Sequence, residues 1–158
     1  MRILVLLAAT LAIVCGMASA AAQDAKRKVV FVCEHGSVKS LMAAAYFNRL
    51  AAERDLPFRA VARGVAPDST TVPKPIVAGL HEDGVDVSGF HPSRIAAADV
   101  VDAARVVAIG TELPAQTSAG APPVERWNDV PPATTSYDAA RRSLKAHVAE
   151  LLDRLAAQ

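Results

Sequence analysis

The sequence is short of aromatic residues, which make up 4% of its 158 residues, and it has two cysteines. It also lacks an excess of either charge, since 17 basic and 16 acidic side chains leave a formal +1. Its longest apolar run, residues 3–14, falls below the roughly 20 residues of a bilayer-spanning helix. Each shortage excludes a class. Two cysteines cannot build a disulfide-dense scaffold. A near-neutral total charge gives no sign of a nucleic-acid surface. No internal repeat points to a solenoid. What is plentiful is apolar: 52% of residues are hydrophobic, enough for a packed core in a chain of single-domain length.

Residues 1–20 read as a secretory signal peptide. Arg2 supplies the positive start, residues 3–14 the apolar middle, and Ala18, Ser19 and Ala20 the small residues before a cleavage point. Val14 before Cys15 argues against a lipoprotein site, where a small residue is wanted. Cleavage after Ala20 removes Arg2 and Cys15 and leaves 16 basic against 16 acidic residues. No stable membrane insertion is expected afterwards, and the protein is expected to be secreted or periplasmic. Residues 21–28 form a polar lead-in and residues 29–158 the folded domain. One cysteine remains, Cys33. Without a partner for an internal disulfide, it is either buried and inert or kept for its reactivity.

Residues 29–32, VVFV, have the continuous β-branched character of a buried parallel strand. Residues 33–39 form a polar loop. Ser40 then stands at or near the start of a helix carrying Leu41, Met42, Ala45, Tyr46 and Leu50 at helical spacing. Residues 58–65 read as a second strand and residues 73–85 as a helix with proline in its first turn. A short helix or turn precedes a third strand, residues 105–110. A proline-rich stretch follows. The last helix runs over about 137–156, with Ala140, Leu144, Val148, Leu151, Leu152 and Leu155 as its apolar stripe. This alternation implies an α/β fold with a parallel sheet. Ligands gather at the carboxyl ends of strands in such sheets, which is where Cys33 falls.

A chain that leaves a strand, turns tightly and enters a helix points its amides into one concavity. That concavity binds anions through N–H donors and the helix dipole. Gly36 lets backbone approach a ligand closely. Cys33 at the rim feels a field that favours thiolate, making a nucleophile beside a bound oxyanion. Lys39 adds positive charge. The competing reading is a buried cysteine ahead of an ordinary strand-to-helix turn.

The segment Cys33, Glu34, His35, Gly36, Ser37, Val38, Lys39, Ser40 resembles the signature of the low-molecular-weight protein tyrosine phosphatases and of the arsenate reductases built on the same fold: an apolar strand, Cys-x5-Arg-Ser/Thr, then a helix. The resemblance spans about residues 29–155. It implies a three-layer α/β architecture: a central parallel sheet of about four strands with helices on both faces. It implies Cys33 as nucleophile, residues Glu34 to Val38 as the amide cradle, Lys39 in the arginine position and Ser40 as the hydroxyl that steadies the thiolate. It calls for no cofactor and no metal. The implied partner is a phosphate or arsenate oxyanion, with a phosphorylated protein or a small thiol as further partners.

Two positions depart from the family pattern. Lys39 keeps the charge of arginine but loses its planar two-pronged grip. In the arsenate-reductase branch a tryptophan stands four residues before an Asp-Pro pair; here the residue four after Trp127 is Pro131. Asp129, two residues early, is the candidate proton donor, or else it caps a turn. Asp138 is a further candidate acid, or else part of the start of the last helix. His35 lines the pocket mouth or assists proton transfer, or else is an exposed loop residue. His81, His91 and His147 have no metal spacing and read as structural or surface residues. Trp127 reads as packing over the site. The expectation is an exported cysteine-dependent phosphatase or arsenate reductase. The alternative is a non-catalytic oxyanion- or phosphopeptide-binding module that has lost the arginine and the aspartate.

Overall fold

The computed structural model describes residues 26–158. The signal-peptide reading of residues 1–20 lies outside the described residues, as does most of the lead-in.

The chain runs β1 (Arg27–Cys33), α1 (Lys39–Glu53), β2 (Phe58–Gly64), α2 (Lys74–Glu82), α3 (Ala97–Val101), β3 (Ala103–Ile109), α4 (Ala115–Ser118), β4 (Val124–Trp127) and α5 (Tyr137–Ala156). The strands form one parallel sheet in the order β2-β1-β3-β4. This is the expected α/β class with a four-stranded sheet. Strand order reverses at β1, so the crevice between the ends of β1 and β3 is the switch point of the sheet.

Alternation along the strands sorts the two faces. Val29, Phe31 and Cys33 join a core with α1, α2 and α5, while Val30 and Val32 pack with Val100 of α3 on the other face. Phe31 is the centre of the larger core, with ring centroids 5.6 Å from Phe47 and 5.4 Å from Trp127. All six residues of the expected α5 stripe are buried. Ser136 caps that helix by accepting from the Ala139 amide.

Several bounds differ from the sequence reading. β1 starts at Arg27, inside the expected lead-in, because both basic residues pair with β2 through their backbones. Their charges stay outside: the Arg27 guanidinium lies 4.9 Å above the Phe58 ring and Lys28 Nζ reaches the Ala98 carbonyl. β3 starts at Ala103 rather than Arg105. The proline-rich stretch contains a short helix, α4, and the strand β4. The helix at 73–85 is shorter, Lys74–Glu82, with Pro73 as its N-cap residue.

A polar cluster ties α1 and α5 to the end of α2. The Asp83 carboxylate accepts from Tyr46 at 2.7 Å and Tyr137 at 3.0 Å, and it pairs with Arg141 at 3.1 Å. Burial works to raise the Asp83 pKa, but the two tyrosine hydrogen bonds and the charges of Lys145 and Arg141 bring it below the ordinary value. Burial, with its hydrogen bonds to Tyr137 and Asp83, pushes the Tyr46 hydroxyl far up. Burial pushes Tyr137 up to about 12.

Candidate functional site

β1 delivers Cys33 to the carboxyl end of the sheet, and α1 begins six residues later at Lys39. The loop between them is wedged against the end of β2. The Val65 amide donates to the Cys33 carbonyl at 3.0 Å and the Ala66 amide to the Glu34 carbonyl at 2.8 Å. The contact is backbone on backbone. A β-carbon on Gly36, which holds φ +76°, would stand 2.7 Å from the Gly64 amide nitrogen, and one on Gly64 would stand 2.7 Å from the His35 carbonyl carbon. Glycine at both positions is therefore a packing requirement.

The sulfur is the focus of the loop. Cys33 is 3% exposed. The Gly36 amide donates to its Sγ at 3.3 Å, and Sγ shares a hydrogen bond with Ser40 Oγ at 3.1 Å. Ser40 is fully buried and Ser37 nearly so. Ser40 therefore does not cap α1: its hydroxyl is given to the sulfur. Val38 occupies the N-cap position and makes no side-chain cap bond. The first amides of α1 are thus left without a side-chain acceptor, the condition in which a helix start binds an anion.

The other candidate residues fall around this centre. Glu34 is exposed and its Oε2 accepts from the Thr111 hydroxyl at 3.0 Å. His35 Nδ1 lies 3.3 Å from Asp68 Oδ1, both half-exposed or more. Lys39 is half-buried. Its ammonium lies against Gly110, where a β-carbon would stand 2.6 Å from Nζ.

Asp129 is engaged elsewhere. Its carboxylate oxygens lie 3.0 and 2.9 Å from Nε2 of His147 on α5. The hydrogen bond from His147 lowers the Asp129 pKa. The His147 ring stacks on Trp127 at 4.7 Å between centroids, and the Trp127 indole N–H donates to Glu125 at 2.8 Å. A carboxylate held in this way is a weak proton donor. Trp127 is 2% exposed and belongs to the core beneath the loop. Asp138 lies in the first turn of α5.

Four contributors escaped the sequence reading: Gly64, Gly110, Thr111 and His147. Gly64 and Gly110 each end an apolar strand, which is the one signal they carried.

The fold and site together define a class: a parallel α/β protein with a cysteine-headed amide loop at its switch point. A family model described as low molecular weight phosphotyrosine protein phosphatase matches residues 28–154, and the chain belongs to that family. Solved structures similar to it include an arsenate reductase in its phosphate-binding state and an arginine phosphatase. Among solved structures, YfkJ from Bacillus subtilis is 20% identical with TM-score 0.69, covering 82% of this chain and 94% of its own. An arsenate reductase from Archaeoglobus fulgidus is 26% identical with TM-score 0.59, covering 82% and 99%. The YwlE arginine phosphatase, whose Cys-to-Ser mutant carries a phosphorylated active-site serine, is 19% identical with TM-score 0.70, covering 81% and 95%. Comparison with curated protein sequences gave no significant match.

Proposed function

We propose that this protein is an exported cysteine-dependent phosphatase that acts through a phosphoryl–cysteine intermediate at Cys33. One observation carries the reading. The buried Cys33 sulfur accepts from the Gly36 amide and shares a hydrogen bond with the Ser40 hydroxyl at the uncapped start of α1. An inert core cysteine has no use for two hydrogen-bond partners. The phosphorylated serine at the cysteine position of YwlE supports the same covalent step here. Export rests on the arrangement of Arg2, the apolar run and Ala18-Ser19-Ala20.

In the proposed reaction the amides of residues 34–38 and the start of α1 hold the phosphoryl oxygens. The Cys33 thiolate attacks phosphorus, a sulfur–phosphorus bond forms, and the ester oxygen leaves with the bonding pair. Lys39 supplies the charge that arginine supplies elsewhere, as a point rather than a fork. Water then attacks phosphorus, the sulfur–phosphorus bond breaks, and phosphate leaves with the thiolate restored. Asp129, two residues short of the family's acid position, is the candidate for proton delivery, and it serves only when it leaves His147. Aryl phosphates, whose leaving groups need little protonation, are therefore the expected substrate class.

Arsenate reduction is the second enzymatic reading. It draws two electrons from thiols, and Cys33 is the free cysteine of the described residues. An external small thiol would have to supply the remainder. The non-catalytic alternative, an oxyanion- or phosphopeptide-binding module, is favoured by Lys39, Pro131 and the Asp129–His147 pair. One comparison separates the three: hydrolysis of a small aryl phosphate, and arsenate reduction with added thiol, for wild type and Cys33→Ser. We expect wild type to hydrolyse the ester and Cys33→Ser to lose at least about 10³-fold. Equal rates in both assays, with phosphate still bound, would leave a binding module.

A further inference from the structure

The chain leaves β3 through Gly110, which holds φ +61°. Val32 pairs with Ala108, so the same register carried forward sets Gly110 beside Glu34. The Thr111 hydroxyl bond to Glu34, at 3.0 Å, agrees with that placement. The Gly110 amide is fixed in turn by the Trp127 carbonyl at 3.2 Å. The Cys33 loop therefore has two walls: the end of β2 at Gly64 on one side and the turn Gly110–Thr111 on the other.

Lys39 lies across the second wall. A β-carbon on Gly110 would stand 2.6 Å from Lys39 Nζ and 3.8 Å from Lys39 Cε, with no other atom among its near neighbours within 4 Å. A nonbonded carbon and nitrogen do not approach to 2.6 Å, so the ammonium fills the space that any side chain at 110 would take. No carboxylate holds it there: among the described residues Lys39 forms no salt bridge. The missing β-carbon is what admits the charge.

We propose that Gly110 is a positioning residue for Lys39. The turn after β3 admits the ammonium beside the Cys33 loop and fixes the side from which positive charge meets a bound oxyanion. The cationic part of the site is thus set by a residue 71 positions away, in the turn after β3. This rests on the reading of the loop as an oxyanion site. Lysine has one charged atom and a flexible stem, so its aim depends on such a wall more than a forked arginine would.

The test is a double-mutant cycle read by calorimetric binding of inorganic phosphate. Gly110→Ala should weaken binding about tenfold when Lys39 is present and less than about twofold in the Lys39→Ala background. Equal losses in both backgrounds would assign the effect to backbone strain at φ +61° and overturn the proposal, as would no loss in either. A second readout needs no anion. With 13C-labelled lysine, the Lys39 Cε resonance should shift in Gly110→Ala, while amide spectra away from the turn stay in place. An unmoved resonance overturns the proposal. If the resonance shifts but wild type binds no phosphate, Gly110 still positions Lys39, and it is the oxyanion reading of the loop that fails.

Discussion

The loop between β1 and α1 and the loop between β4 and α5 both leave the carboxyl end of the sheet, but they are held by different means. The first is fixed by backbone. Gly36 sits on Gly64, two amides of the β2 turn bind its carbonyls, and Ser40 and Gly36 bind its sulfur. The second is fixed by side chains: Asp129 to His147, His147 on Trp127, Trp127 to Glu125, and Glu125 to Arg154 at 2.6 Å. A loop held by backbone geometry depends on the close approach of Gly36 to Gly64. A proton-donor loop depends on one carboxylate and its surroundings, and here those surroundings keep the carboxylate ionised. On the proposed reading, the nucleophile loop keeps its cysteine and hydroxyl while the candidate acid is tied to His147.

Substitutions can test both sides of this contrast. Ser40→Ala removes the hydroxyl from the sulfur while leaving α1 uncapped as before. A hydrogen bond to a charged group contributes about 1.5–3 kcal/mol, so turnover of an aryl phosphate should fall about 10- to 100-fold. A loss below twofold would mean the hydroxyl does not serve the thiolate.

Asp83→Asn tests the scaffold away from both loops. It leaves Tyr46 and Tyr137 facing an amide and Arg141 with Asp138 alone as its counter-charge, and unfolding in urea should show a loss of about 1–3 kcal/mol at neutral pH. The folded-state pKa of Asp83 lies below its unfolded value of about 3.9. The stability it contributes is therefore fully present above the unfolded value and is lost as pH falls through the folded one. The gap between wild type and Asp83→Asn should close in acid. A gap that persists there would point to packing instead of charge.

Asp129→Asn should have the smallest effect. With the carboxylate tied to His147, hydrolysis of a nitrophenyl phosphate should change by less than about threefold. General acid catalysis is worth about 10² or more where it operates. A loss of that size would show that Asp129 leaves His147 during turnover and would remove the contrast between the loops.

The fold was legible where a single periodicity spoke. The α5 stripe, the apolar run of β1 and the Cys33 loop all appear in continuous sequence. β4 was hidden because it is four residues long, lies between prolines and carries Glu125 and Arg126 outward. The start of β1 was hidden because Arg27 and Lys28 pair through backbone while their charges stay in solvent. The condition of Asp129 could not be read from its neighbours in sequence, because its partner is 18 residues on and belongs to α5. The seat of Lys39 was hidden for the same reason: Gly110 meets it only when β3 lies beside β1.

The central claim is that the Cys33 loop performs covalent chemistry without help from an arginine fork. The most direct test is to mix wild type with excess nitrophenyl phosphate, quench at short times in acid, and examine the peptide carrying Cys33 by mass spectrometry. The account predicts a phosphoryl adduct on Cys33 that forms with the release of nitrophenol and is absent from Cys33→Ser. Phosphate binding without nitrophenol release, and an unmodified Cys33 at every quench time, would contradict it.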